Sequence, residues 1–423
     1  VDDVSALRAE IQPYRLPFRR PFVTAFGTFH HRSGWILCIR DAQGHQGYGE
    51  AAPLPGFGGG DPTQVERDLQ HLLAFAQTLP EAPATPASLA RLIHALATES
   101  AVTGTPAPAA LAALDLALAD LAARRAGLPL AQWLAPETAS PSVPVNATIG
   151  GQSPADSASA AEIALAAGYR SLKLKLSGDD ELDLARIAAV HAVLAAQTRV
   201  DGPPRSDMAS DPPIRPAAGD SAIEKETDIP PVEQGPPRLR LDANGAWPLP
   251  RALRMIDRLS PYTLSNTLND TFSSTIEYIE QPTPVTGRPE EDVAALIALS
   301  SASPIPIAAD EILLDPRAAD LVLAQRAAAV LILKPALLGG PSITLDLAGR
   351  SREAGLSPVI TTALDAAIGR LGALHLAAAL GLTRPCGLAT GSLLAQDLAP
   401  TPEPHQGHMH LPTAPGLGVT PKR

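Results

Sequence analysis

The sequence predicts an α/β chain whose larger part is a (β/α)8-type barrel. From Val143 onward, eight short apolar runs alternate with Ala- and Leu-rich stretches of helical spacing. The repeats fill about 250 residues, the usual length of such a barrel. No Gly-rich phosphate loop follows the first run, where an open doubly wound sheet would carry one.

The N-terminal part reads differently. Residues 11–29 and 34–50 contain two extended runs, and GWILCIRDAQGHQGYGE reads as a hairpin turning at Ala42-Gln43-Gly44-His45. PLPGFGGGD, from Pro53 to Asp61, is a Gly/Pro loop. From Thr63 to about Leu134 apolar residues recur at helical spacing, and Gly127 with Pro129 is expected to close the last helix.

The expected barrel strands are VNATIG (145–150), SLKLKLSG (171–178), RLRLDAN (238–244), IEYIEQP (276–282), PIAADE (306–311), AVLILKP (329–335), SPVITTAL (357–364) and CGLATG (386–391). Two segments interrupt the rhythm. Residues 199–237 are rich in Pro, Asp and Ser and offer too little apolar surface to offset their ordering entropy. A mobile surface insertion is expected there, at the N-terminal end of the barrel and away from the usual active-site face. SNTLNDTFSST (265–275) is a second irregular patch at the same end.

Composition narrows the function. Hydrophobic residues make up 45% and aromatics only 4%, so Ala, Leu, Ile and Val must build the core. A net charge of −11 argues against a nucleic-acid partner, which would call for a basic patch. Cys38 and Cys386 are too few for a disulfide framework. No leader-like pattern opens the sequence and no apolar run approaches the ~20 residues of a membrane span, so a cytoplasmic protein without membrane contact is expected. Oligomeric state leaves no mark on the sequence.

The chemistry lies at the strand ends. The second run carries Lys173 and Lys175, the third Asp242 with Asn244 beyond it, the fourth Glu280, the fifth Asp310 and Glu311, and the sixth Lys334. In a barrel these ends share one mouth. The second and sixth strands lie opposite each other, so three carboxylates fill an arc flanked by a lysine at each end. One acidic residue at a strand end is ordinarily a turn or cap residue, but an ordered set at successive ends is not. Asp242, Glu280 and Asp310 would repel one another unless a hard cation joins them, and all-oxygen donors favour Mg²⁺, with Mn²⁺ as a substitute. A substrate carboxylate on that ion would hold its α-carbon between the lysines, and the metal would stabilise the enediolate formed as the proton leaves. Lys173, two residues before Lys175, could supply a second ammonium that lowers the pKa of the base. Glu277 falls on the face opposite Glu280 and is expected to be structural.

The pieces LKLKLSG, LRLDANGAW, IEYIEQP, IAADEIL and LILKP, in this order across residues 171–335, resemble the enolase superfamily in its muconate-lactonising subgroup. That resemblance implies Asp242, Glu280 and Asp310 as Mg²⁺ ligands, Lys175 and Lys334 as the acid/base pair, and Glu311 as the residue orienting Lys334. It also implies an α+β capping domain over residues 1–141, whose loops at 21–33 and 53–60 choose the substrate. The barrel would span 142–395, and residues 396–423 would return to the cap. Within the subgroup, GYGEAAPLPGFG, VITTALDAAIGRLGALHLAAALG and GLATGSLLAQDL are similar to the o-succinylbenzoate synthases, which dehydrate a cyclohexadiene carboxylate in menaquinone biosynthesis. The seventh run ends TTALD, with Asp365 where the family often has Glu. The eighth lacks the Asp-x-Asp with which dipeptide epimerases hold a substrate ammonium. A small-molecule carboxylate is thus the expected partner. N-acylamino-acid racemase, another muconate-cycloisomerase-like activity, and a non-catalytic barrel scaffold are the alternatives.

Overall fold

A computed structural model describes residues 7–24, 27–98, 105–150, 153–201, 236–262 and 275–422. Most of the expected insertion at 199–237, most of the patch at 265–275, and residues 25–26 of the expected cap loop lie outside the described residues.

The chain opens with β1 (Arg8–Thr24), β2 (Gly27–Arg40) and β3 (Gln46–Ala51), an antiparallel sheet in the order β1-β2-β3. Residues 41–45 make the expected turn, closed by Asp41 N–H on the His45 carbonyl at 3.1 Å. Of the segment 21–33, expected as a loop, the described residues 21–24 and 27–33 are strand: Phe22 stands opposite Phe29 and Leu16 opposite Arg32, with a register shift between Pro17 and Phe22. Aromatic and β-branched residues facing each other across a ladder favour strand over loop.

Four helices follow: α1 (Pro62–Thr78), α2 (Pro86–Thr98), α3 (Pro108–Arg125) and α4 (Leu130–Leu134). Asp61 caps α1 by accepting from the Thr63 and Gln64 N–H groups, with Pro62 at the first turn. α3 is buried on every face from Ala109 to Ala123, so it is sandwiched rather than amphipathic. It lies so close to β3 that a Cβ on Gly49 would come within 1.8 Å of the Ala113 carbonyl oxygen, and one on Gly47 within 2.1 Å of that of Ala117. Only glycine permits this approach.

The second sheet is parallel. β5 (Ala147–Ile149), β6 (Ser171–Lys175), β7 (Arg238–Asp242), β8 (Ile276–Glu280), β9 (Ile307–Ala309), β10 (Val330–Leu333) and β11 (Ser357–Ile360) are neighbours in chain order. The eighth run, CGLATG, forms no strand. It contributes two single parallel bridges, Cys386 to Val145 on one side and Gly387 to Thr361 on the other, and these close the ring. A side chain on Gly387 would meet Thr361 Cγ2 at 2.8 Å, which explains glycine at this seam.

Tyr278, Ala308, Val330, Ile332 and Val359 form a separate buried cluster of strand residues. Glu277 departs from simple alternation. The register slips between Leu239 and Arg240, leaving Glu277 bulged between residues paired with them. Its carboxylate takes the buried Arg240 at 2.6 Å and also accepts from Arg384. Its role is structural, as expected, but it is reached by a bulge.

The two layers are docked by buried charge. Asp115 of α3 accepts from the Ser342 N–H at 2.6 Å and its Oγ at 2.8 Å, at the start of the helix Pro341–Glu353. Glu50 of β3 accepts from the Ala366 and Gly369 N–H groups at 2.8 and 2.7 Å, at the start of the helix Ala367–Ala379. Those helices follow β10 and β11, so their N-termini lie on the strand C-terminal side, and the N-terminal layer covers the barrel mouth. Arg32, 3% exposed, donates to the Ala52 and Pro53 carbonyls and to those of Ala363 and Leu364. At the other end of the chain, β12 (His408–His410) pairs with β4 (Ser142–Pro144), and the Leu417 N–H reaches Asp120 of α3. No helix among the described residues is long and apolar enough to cross a membrane.

Candidate active site

The strands bring the charged residues of the sequence to one end of the barrel. Along β6, Leu172 and Leu174 are fully buried while Lys173 and Lys175 alternate with them. Register sets Lys175 beside Asp242 and Asp242 beside Glu280. Asp310 follows directly on β9 and Lys334 on β10.

Lys173 is shared: its Nζ lies 2.7 Å from Glu280 Oε1 and 2.8 Å from Asp242 Oδ2. Lys175 donates to Asp242 and, at 3.1 Å, to Asn244 Oδ1. Lys334 donates to both oxygens of Asp310. Asn244 adopts a left-handed backbone, φ 44°, and its Nδ2 donates to Glu311 Oε1 at 3.0 Å. It is thus both the turn residue and a link between Lys175 and Glu311. Glu311, expected to orient Lys334, instead accepts a hydrogen bond from Asn244 and acts on Lys334 through its charge.

Burial and pairing pull the ionisations apart. Burial alone would raise the Asp242 carboxyl, but Lys173 and Lys175 hold it well below the usual carboxylate range. Glu280 is pushed up to about 8 by burial and by the neighbouring Asp242. Asp310 is raised by burial and by Glu311. Burial opposes charge on Lys173 and Lys334, yet Asp242 and Glu280 raise the first well above its ordinary value, and Asp310 with Glu311 raises the second. Glu280 Oε2 and Glu311 Oε2 are buried without a hydrogen-bond partner. Among the described residues no three His, Cys, Asp or Glu side chains stand in a ligating arrangement, because Asp242, Glu280 and Asp310 are each turned toward a lysine.

Sequence reasoning missed several residues around this cluster. Gln281, next to Glu280, bonds to the turn that carries Asp310. Thr362 and Thr390, after β11 and on the closing segment, share a hydrogen bond at 3.0 Å. Asp365 packs beside Glu50 around Gly369, and burial with the Glu50 charge pushes its carboxyl up to about 7. Gln281, Thr362 and Thr390 lie inside the runs IEYIEQP, SPVITTAL and CGLATG without standing out there, whereas Asp365 was already visible at the end of TTALD.

A parallel barrel closed over by a three-stranded cap, with lysines and carboxylates interleaved on its strand ends, defines an enolase-type enzyme. Residues 8–135 match the N-terminal domain of mandelate racemase / muconate lactonizing enzyme, and residues 231–423 match the enolase C-terminal domain-like family. The chain belongs to the enolase superfamily, in the subgroup of mandelate racemase and muconate lactonizing enzyme. It is 27% identical over 415 residues to the L-Ala-D/L-Glu epimerase of Bacillus subtilis, covering 98% of this chain and 96% of that protein. It is 34% identical over 195 residues to the o-succinylbenzoate synthase of Mycobacterium tuberculosis, covering 44% of this chain and 53% of that one. The dipeptide epimerase of Methylococcus capsulatus, crystallised with Mg and the dipeptide L-Arg-D-Lys, superposes with a TM-score of 0.73 at 28% identity, over 98% of this chain and 99% of its own.

Proposed function

We infer that this protein is a Mg²⁺-dependent o-succinylbenzoate synthase, which dehydrates 2-succinyl-6-hydroxy-2,4-cyclohexadiene-1-carboxylate to 2-succinylbenzoate. The observation that carries the choice among subgroup activities is the closing segment of the barrel. Residues 386–394 hold no carboxylate. Asp397, just beyond it, already accepts from Arg370 and from the Ala367 N–H, and Asp365, after β11, is held toward its neutral form by burial and by the Glu50 charge. A substrate ammonium would find no counter-charge on that side, whereas a substrate bearing only carboxylates needs none.

The donors suit a hard divalent cation. Asp242, Glu280 and Asp310 offer carboxylate oxygens alone, and Glu280 Oε2 is buried and unsatisfied. When bound, the cation supplies neutralisation of the charge that grows on the substrate carboxylate as the α-proton leaves. Lys175 takes that proton on Nζ, the bond to the hydroxyl breaks, and Lys175 returns the proton so that water departs from the same face. The ring becomes aromatic. Asn244 fixes Lys175 by accepting one of its hydrogens. Lys334, four strands away in the barrel order, stands on the other face as an ammonium cation and transfers no proton.

Racemisation of N-acylamino acids or a related substrate is the second reading, favoured by the near full-length match to an epimerase and by the paired lysines. A scaffold without catalysis would have no use for this charged cluster. The test is to assay the purified protein with Mg²⁺ on the cyclohexadiene substrate, and on dipeptides and N-acylamino acids in D₂O. Dehydration that stops in chelator is expected. Deuterium incorporation into dipeptides without any dehydration would overturn the assignment.

A further inference from the structure

We propose that Gln281 is a positioning residue that holds the Asp310 turn in register for cation binding; this rests on the Mg²⁺ reading above. Gln281 is 1% exposed and takes a left-handed backbone, φ 36°, which a non-glycine residue adopts only where surroundings enforce it. That backbone departs from the strand immediately after Glu280. The Gln281 Oε1 then accepts from the Asp310 N–H at 3.0 Å and the Ile312 N–H at 3.4 Å. Its Nε2 donates to the Thr283 carbonyl at 2.9 Å. Its main chain completes the set: the N–H donates to Ala308 at 2.8 Å and the carbonyl accepts from Gly245 at 2.7 Å.

One residue is therefore bonded to the ends of β7, β8 and β9, the three strands that deliver Asp242, Glu280 and Asp310. The Asp310 turn needs such support. Asp310 sits at φ −128°, ψ −90°, outside the regular strand and helix regions, at the entry to the short 3-10 turn Glu311–Leu314. Its N–H and that of Ile312 point to a side chain instead of a neighbouring strand. The choice of an amide is chemically specific. Gln281 both accepts from the turn and donates to Thr283, and it adds no charge beside four carboxylates. An apolar side chain of the same length would leave two buried N–H groups without acceptors.

Outer partners of metal ligands typically govern affinity by 10- to 100-fold. The experiment is calorimetric titration of Mg²⁺ into wild type, Gln281→Met and Gln281→Glu, with melting curves in chelator as the control for folding. Gln281→Met should weaken Mg²⁺ binding by about tenfold or more. Gln281→Glu keeps both acceptor bonds but loses the donation to Thr283 and adds a charge, so it should bind Mg²⁺ more tightly than Gln281→Met, a rescue that a role confined to packing would not produce. If wild type binds Mg²⁺ and Gln281→Met binds it equally well, the proposal is overturned while the Mg²⁺ reading stands. If wild type binds none, the Mg²⁺ reading itself fails and takes the proposal with it. Should Gln281→Met not fold, Gln281→Asn, too short to reach the turn, is expected to show the same loss. Failure of both to fold would make the residue's role structural and overturn the proposal.

Discussion

Lys173→Met would remove the one ammonium that Asp242 and Glu280 share. At an effective dielectric constant of about 20, each of its contacts corresponds to roughly 6 kcal/mol before desolvation is counted. Desolvation cancels much of that, and breaking a buried pair by removing one partner costs about 3–5 kcal/mol net. At about 2.1 cal/mol/K per residue, a chain of 423 residues has an unfolding entropy near 0.9 kcal/mol/K, so the loss becomes roughly 3–6 °C in Tm. Mg²⁺ at about a hundred times its Kd adds about 2.7 kcal/mol to any state that binds it. The variant should gain more than wild type, because the cation takes over the neutralisation that Lys173 supplied. The assay is thermal melting followed by tryptophan fluorescence, in chelator and across a Mg²⁺ titration. A Tm in chelator equal to wild type would refute the shared-ammonium account. A deficit that Mg²⁺ leaves unchanged would refute the link between this lysine and the cation.

Three further outcomes follow from the structure. Burial pushes Asp115 up to about 7 from an ordinary 3.8, so the folded state holds its proton more tightly and stability falls as pH rises from about 4 to 7; moving from pH 8 to pH 6 should stabilise the protein by about 1.4 kcal/mol through this group, and Asp115→Asn should flatten that slope in melting curves. Burial pushes the Cys38 and Cys386 thiols up to about 11, so about one in a thousand is ionised at pH 8 and neither should react with a disulfide reagent until denaturant is added, as a timed thiol titration will show. The helix Asp180–Asp201 ends and β7 begins at the barrel end opposite the mouth, so replacing residues 202–235 with a Gly/Ser linker should leave kcat within about threefold, and a hundredfold loss in a folded variant would contradict that.

The sequence displayed the barrel and its charged mouth because both follow from local periodicity. Lys175, Asp242, Glu280, Asp310 and Lys334 stand at the ends of successive apolar runs, with Lys173 two residues before Lys175 on the first of them. Partner choice was not legible. Nothing local says that Glu311 bonds Asn244, or that a bulge frees Glu277 to reach Arg240. The segment 21–33 has the composition of a loop over part of its length, yet pairing of Phe22 with Phe29 makes its described residues strand. The eighth run reads as a strand, but Gly387 and the turn after Leu388 reduce it to two bridges. Docking by Glu50, Asp115 and Arg32 joins residues far apart in the chain, and such contacts leave no period to detect. The choice between dehydration and racemisation lies in the substrate's surroundings, of which the strand ends show one part, the lack of a carboxylate in residues 386–394.

The docking contacts have a consequence for how such a protein can change. Glu50 and Asp115 bind mainly backbone N–H groups, and Arg32 binds only carbonyls. These contacts read main chain, which every sequence possesses, instead of particular side chains. Residues in the loops at the mouth can therefore drift, and a new substrate can be accommodated, while the lid stays seated. Evolutionary freedom at the active site is secured by a joint that is blind to what the loops are made of.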